Sequence, residues 1–403
     1  IALSRTAHRS VLSALVLAGL EPIWLSPEID AATGVPIGIA LSEFERVLDQ
    51  KPIALLLTEP GYLGTISDIA PLITSAHANS IPVIVDAAWG GHFGFHDAYP
   101  KHVMQLGADA LITSIHKALP GYSASALLLA QTTLLSADRL SQSFETTHTT
   151  SPAGAPLASI DAVRALLLTR GEELLGALLT NVNEFKLAVQ ANFDLPIFLG
   201  TSDFRNGHFD PAKIVLRANQ LGASGVEIER ELIKQGIRVE MADRDTIVFL
   251  ATLADTKEDF QALAMKLVPI LKKSQGAPRE SAAALSWSVI PQIAMSMRDA
   301  YFAHTEMISA DVAIGRVSAD LIAPYPPGVA VIAPGEVLTE QIVKGLGASQ
   351  KAGVRIAYAT DPTLASYRVV KKYKKFNYAK QFLHQHILQQ YKMPISHINS
   401  SIN

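Results

Sequence analysis

The residue pair with the most chemical content is Lys117, in the string Thr113-Ser114-Ile115-His116-Lys117, and Asp86, which ends the apolar run Val83-Ile84-Val85. A lysine amine condenses with an aldehyde cofactor, and a buried aspartate holds a pyridine nitrogen protonated. Together they are the minimum equipment of an enzyme that uses pyridoxal 5'-phosphate (PLP). Either alone is ordinary: a lone His-Lys pair is usually a surface feature, and a lone Asp at a strand end is often a helix cap. What gives the pair meaning is position, with both residues falling at the ends of buried strands. An opposite charge at close range shifts a pKa by about 1–3 units, so Asp86 would keep the ring cationic and electron-withdrawing.

Other side chains near these two fit the same chemistry. Ala88 is small enough to lie against a flat ring. His8 precedes a helix start, where its imidazole has room to stack on a cofactor, and Ser114 and His116 are hydrogen-bond donors suited to a phosphate. Trp89, in Asp86-Ala87-Ala88-Trp89-Gly90-Gly91-His92, is either core or a cofactor-side aromatic. His92, His96 and His102 have no standard metal-ligand spacing, so no metal is expected.

The elements that must carry these residues alternate. Helical patterns at Ser10–Leu20, Leu41–Asp49 and Ile66–Asn79 separate short apolar runs at Pro22–Leu25, Ile53–Thr58, Ile81–Asp86, Ala110–Thr113 and Ser125–Ala130. Uniformly apolar strands between helices predict a parallel sheet covered on both faces, and such sheets bind ligands at the carboxyl ends of their strands. A long helix is expected after Thr150-Ser151-Pro152. A β-α-β-β unit follows, with strands at Lys213–Leu216, Ile237–Glu240 and Thr246–Ala251 and a helix at Gly225–Gln235. The stretch Lys272–Ala284 reads as a linker. Three domains are expected: 1–170 as a cofactor-binding α/β domain, 171–280 as a smaller α+β domain, and 281–403 as a C-terminal α+β domain.

Composition sets outer limits. The chain has 403 residues, 49% hydrophobic and 18% charged, with a net charge of −3 and no cysteine. That describes a well-buried globular protein without disulfides or thiolate chemistry, and without general attraction to nucleic acid or anionic membranes. The cluster Lys371, Lys372, Lys374 and Lys375 reads as a solvated terminal segment. Without a membrane-spanning run or signal peptide, a cytoplasmic location is expected. The chain opens at Ile1 and enters a helical pattern at once, which reads as an interior point of a longer protein.

The sequence resembles the Orn/Lys/Arg decarboxylase family, PLP enzymes of the aspartate-aminotransferase fold. The resemblance runs through Arg5-x-x-His8-x-Ser10, the Asp86–His92 block, Ser114-x-His116-Lys117, Thr149-Thr150-Ser151-Pro152, Ala158-Ser159-Ile160-Asp161 and Asp210-Pro211-x-Lys213. It continues through Gly236-Ile237-x-Val239-Glu240, Pro324-Tyr325-Pro326-Pro327-Gly328 and Pro334-Gly335-Glu336. It implies that Lys117 carries the cofactor, Asp86 meets the pyridine nitrogen, His8 stacks on the ring, and Ser114 and His116 lie at the phosphate. Ser10 joins the cofactor side, and Thr150 and Ser151 reach a cofactor across a dimer interface. Many members read Asp-Glu-Ala-His where this chain has Asp86-Ala87-Ala88-Trp89. The family's phosphate loop lies upstream of Arg5-x-x-His8.

The reaction implied is α-decarboxylation of lysine, ornithine or arginine, with Lys117 or His116 returning the proton and Glu240 or Glu336 meeting the substrate's distal cation. One rival is a transaminase or aldolase on the same scaffold; a transaminase needs an arginine gripping the α-carboxylate, for which Arg238 and Arg244 are candidates. Another is a truncated, non-catalytic homologue. A homodimer or higher homo-oligomer is expected by analogy of fold.

Overall fold

A computed structural model describes residues 1–131, 133–204, 208–280, 288–325, 328–351 and 353–372. Pro326, Pro327, Lys374, Lys375 and the end of the expected linker at 281–284 lie outside the described residues. The first unit contains β1 (Ala2–Ser4), α1 (Arg9–Ala18), β2 (Ile23–Leu25), β3 (Glu28–Ile29), β4 (Pro36–Gly38), α2 (Leu41–Glu45), β5 (Leu55–Thr58) and α3 (Ile69–Ala78). It goes on through β6 (Val83–Asp86), β7 (Ala110–Ser114), β8 (Ala126–Ala130) and α4 (Ala137–Thr147). Its six-stranded sheet has the order β2-β1-β5-β6-β7-β8. All neighbours are parallel except the β7–β8 pair, which is antiparallel.

The sheet forms because β5, β6 and β7 carry apolar side chains on both faces, and α2 and α3 cover one of them. Leu55, Leu57, Val83, Val85 and Leu111 pack there with Phe44, Ile69, Leu72 and Ile73. At about 25 cal/mol per Å² of apolar surface removed from water, each such side chain contributes roughly 1.5–3 kcal/mol. The expectation that both faces are covered holds only in the middle of the sheet. On and beside edge strand β8, Ile112, Leu128 and Leu129 remain 39–46% exposed, and α4 buries no residue.

α5 (Gly154–Gln190) is one continuous helix of 37 residues. The expected domain boundary at 170/171 therefore falls inside a rigid rod about 55 Å long. Its first half flanks the large sheet through Val163 and Leu167, beside Ile115 and Leu119. Its second half packs into the next core, with Leu175, Val182, Phe185 and Val189 against Ile214, Leu216, Ile228 and Leu267. That core belongs to β9 (Ile214–Arg217), α6 (Gly225–Lys234), β10 (Met241–Ala242), β11 (Thr246–Phe249) and α7 (Lys257–Ser274), whose antiparallel sheet is ordered β10-β11-β9.

Two sequence expectations need correction here. Residues 237–240 are not a strand: the left-handed turn at Gly236 (φ 76°) ends α6, and the following residues run out of the sheet until Met241 pairs with Val248. Residues 272–280 are not a free linker either. Lys272 to Ser274 finish α7, and Gly276 N–H and Arg279 N–H donate to the Leu221 and Asn219 carbonyls at 2.7 and 2.9 Å.

The last unit has α8 (Met297–Phe302), β12 (Thr305–Ser309), α9 (Ala310–Ala313), β13 (Ala323–Pro324), α10 (Glu340–Lys351), β14 (Ile356–Ala357) and β15 (Ser366–Val370). Its own core joins Ile332, Leu338, Ile342, Leu346 and Val369. Among the described residues, no helix is long and apolar enough to cross a membrane.

Candidate active site

A cavity of about 450 Å³ opens at the carboxyl ends of the parallel strands. β5, β6 and β7 end side by side, Thr58 in register with Asp86 and Asp86 with Ile112. Each strand thus delivers its last residues to one rim. His8, Ser10, Asp86, Ala88, Trp89, Ser114, His116, Lys117 and Glu240 all line this cavity, as do Tyr62 and Tyr325.

Burial dominates its electrostatics. The Asp86 carboxyl is pushed above its usual range by burial, and the Ala88 N–H, which donates to Oδ1 at 3.1 Å, and the positive charges of Lys117 and His8 only partly offset it. Oδ2 carries no hydrogen bond among the described residues. The Lys117 amine is pushed down by burial, opposed by Asp86 and Glu240. His8 is lowered by burial and by Lys117. Its Nδ1 caps α1 by accepting the Ser10 N–H at 3.3 Å, and Ser10 Oγ sits 2.9 Å from the same atom. His116 is pinned by Ser125, with Nδ1 2.7 Å from the Ser125 carbonyl oxygen and 3.1 Å from its N–H.

The loop after β6 crosses close to its neighbours, which is why Gly90 and Gly91 are adjacent there. A Cβ on Gly90 would lie 2.9 Å from Pro60, and one on Gly91 3.0 Å from Leu119. The loop swings Trp89 to the cavity wall, where Tyr62 meets it edge-on at 5.6 Å and the Lys117 Nζ lies 5.0 Å from its ring centroid. Tyr62 Oη donates to Glu240 Oε1 at 2.9 Å.

Three candidates from sequence stand elsewhere. Glu336 is 1% exposed and away from the cavity, its carboxylate held by Arg5 and by the Ala333 N–H, so it is not free for a substrate cation. Thr150 and Ser151 are exposed and do not line this chain's cavity. Of the arginines weighed for a transaminase, Arg238 is exposed and Arg244 is paired with Asp245, and among the described residues no arginine lines the cavity. Sequence reasoning missed Tyr62, which sits 178 positions from its partner Glu240. Its position among Gly61, Leu63 and Gly64 carries no chemical signature. Thr58, whose buried Oγ1 has no partner among the described residues, was missed for the same reason.

The donor set suits PLP. An unpaired carboxylate oxygen at a strand end, a deprotonation-prone amine and a neutral-leaning histidine share one cavity large enough for a pyridine ring. This is the arrangement of a PLP-dependent enzyme of the aspartate-aminotransferase fold class. The chain belongs to the Orn/Lys/Arg decarboxylase family: residues 1–259 match its major domain and residues 280–356 its C-terminal domain. It is similar to an arginine decarboxylase of Halalkalibacterium halodurans, 32% identical over 93% of this chain and 77% of that protein. An arginine decarboxylase of Bacillus subtilis is 33% identical over 93% of this chain and 78% of its own length. Lysine decarboxylase A from Pseudomonas aeruginosa shares the fold, with a TM-score of 0.75 at 19% identity, over 92% of this chain and 66% of that one. The chain is thus a decarboxylase of the Orn/Lys/Arg family, and the family works with PLP.

Proposed function

We propose that this chain decarboxylates a basic amino acid, arginine first among arginine, lysine and ornithine, to the corresponding amine and CO2. The observation that carries the reading is one cavity holding Lys117, Asp86 and Glu240, with no arginine among its described lining residues. The first two suit the cofactor and the third suits a distal cation, while among the described residues no side chain supplies the grip a transaminase needs on an α-carboxylate. That the relatives of 32–33% identity are arginine decarboxylases supports arginine.

In this reading Lys117 Nζ tethers PLP, Asp86 faces the pyridine nitrogen, His8 lies on the ring face, and Ser10, Ser114 and His116 serve its polar edge. When bound, PLP supplies the sink for the electron pair left by the departing carboxylate. The walls formed by Pro27, Pro36, Pro60 and Leu63 keep water from the substrate carboxylate, which favours its loss as neutral CO2. Lys117 Nζ, which burial lowers from the usual lysine range against the opposing pull of Asp86 and Glu240, returns one to the α-carbon. Glu240, steadied by Tyr62, receives the guanidinium through two charged hydrogen bonds. Association of two chains belongs to the same reading. It is supported by Leu128, Leu129, Phe144 and Leu157, which stand exposed around β8, α4 and the start of α5, the region that also carries Thr150 and Ser151.

Borohydride reduction followed by peptide mass analysis tests the tether: the cofactor mass is expected on Lys117 and lost in Lys117→Ala. Release of labelled CO2 from arginine tests the reaction. Asp86→Asn is expected to slow it roughly 10- to 1,000-fold, the equivalent of ~1–3 pKa units. Glu240→Gln is expected to raise KM for arginine by roughly 10- to 100-fold, from loss of a charged hydrogen bond worth ~1.5–3 kcal/mol. No mass on Lys117 and no CO2 would overturn the proposal.

A further inference from the structure

Trp89 lines both the main cavity and a small void of about 20 Å³ that also touches His92, Asp210 and Lys213. We propose that Lys213 is a positioning residue for the decarboxylation: its ammonium, packed against Trp89 and Tyr62, fixes the indole that borders Lys117 and the substrate side of the cavity. Lys213 Nζ lies 3.9 Å over the Trp89 ring centroid and 5.4 Å from that of Tyr62. The residue is 8% exposed, and among the described residues Nζ makes no hydrogen bond or ion pair.

An ammonium buried without an oxygen partner is costly, and a methionine would fill the space without that cost. What lysine adds at this place is its charge. A cation over an indole face is attracted by the ring quadrupole, so the charge holds Trp89 in one orientation. The backbone behind it is fixed: Lys186 Nζ donates to the Lys213 carbonyl at 2.7 Å, and Asp210 lies 3.3 Å from His92. The charged groups facing Lys213 are Asp210, Glu240 and Lys117, and burial lowers its amine to about 8, so it is cationic at neutral pH. Those facing Lys117 are Asp86, Glu240, His8 and Lys213. The repulsion between the two ammonium groups falls on Lys213, whose amine it helps to lower.

The inference rests on Lys117 as the cofactor-holding amine. Its test uses the full chain without added PLP, read by the near-ultraviolet circular dichroism of its tryptophans, and the PLP-loaded protein, read by KM and kcat for arginine. In Lys213→Met the dichroism is expected to change, and KM to rise more than kcat falls. A folded K213M protein with unchanged dichroism and KM overturns the proposal. Should K213M not fold, Lys213→Arg decides: charge is kept while the larger head displaces the indole, so the dichroism and KM change. Unchanged dichroism and KM in K213R would reject the role. Wild-type protein that cannot be reduced onto PLP at Lys117 sinks the functional reading and this one together, whereas normal tethering with unchanged K213M dichroism and KM rejects Lys213 alone.

Discussion

Glu59 shows how strongly burial acts on single residues beside the cavity. It is fully enclosed, accepts the Ser67 N–H at 2.9 Å on Oε1, and has no partner for Oε2 among the described residues. Burial pushes its carboxyl up to about 8 from 4.5. The folded chain then holds a proton that the unfolded chain releases between those values. The sign follows: this contribution to stability is complete below about pH 4.5 and is lost as pH rises through about 8. Its size is several kcal/mol, at ~1.4 kcal/mol per unit. Urea midpoints measured from about pH 5 to 8.5 are expected to fall for the wild type, and Glu59→Gln is expected to flatten that fall. An unchanged slope in E59Q would place the titration elsewhere. Lys117 and Asp86 were legible in sequence because amine and carboxylate announce their chemistry. Glu59 was not, since nothing in Thr58-Glu59-Pro60 says that its carboxyl is walled in.

At the scale of elements, what positions the site is the set of loops leaving β5, β6 and β7, together with the segment before β9 that packs against them. Gly64 marks the tightest meeting point. Its φ is +92°, and a Cβ there would stand 2.7 Å from Lys213 Cγ and 2.8 Å from Lys213 Cβ. Gly64→Ala must therefore strain the backbone and push Lys213, with an expected loss of roughly 1–3 kcal/mol in urea unfolding. It should also reproduce part of the K213M change in tryptophan dichroism and KM. The core strands were readable because β5, β6 and β7 are short apolar runs between helical patterns. The direction of β8 was not, because a run of Ala and Leu reads the same parallel or antiparallel. The expected helix over 41–49 stops at Glu45 and resumes as a 3-10 turn at Leu48–Gln50, placing Phe44 and Val47 in the core. Periodicity alone does not register a change of pitch inside one apolar stripe. The expected boundary at 170/171 lies inside α5, which keeps one apolar stripe while its neighbours change from the large sheet to the small one.

Across the whole molecule, the cavity depends on a contact between the start of the described chain and its last unit. Tyr325 and Val329 close one wall, and His8 forms a backbone bridge with Val329. Three residues before His8, Arg5 grips Glu336 with both terminal nitrogens, at 2.5 and 3.0 Å, and donates to the Val331 carbonyl at 3.0 Å. Its guanidinium lies 4.5 Å from the Trp24 ring centroid. Both side chains are only 1% exposed, so water shields neither charge. Desolvation takes back much of what such a pair gains, yet breaking it strands a buried carboxylate. Arg5→Ala is therefore expected to cost roughly 3–5 kcal/mol in urea unfolding, and to loosen PLP by freeing the His8 segment. Arg5→Met with Glu336→Leu removes both charges and is expected to recover much of the stability. If the double variant is as unstable as R5A, the fit of the guanidinium between Trp24 and Val331, rather than the stranded charge, holds the last unit against the cavity.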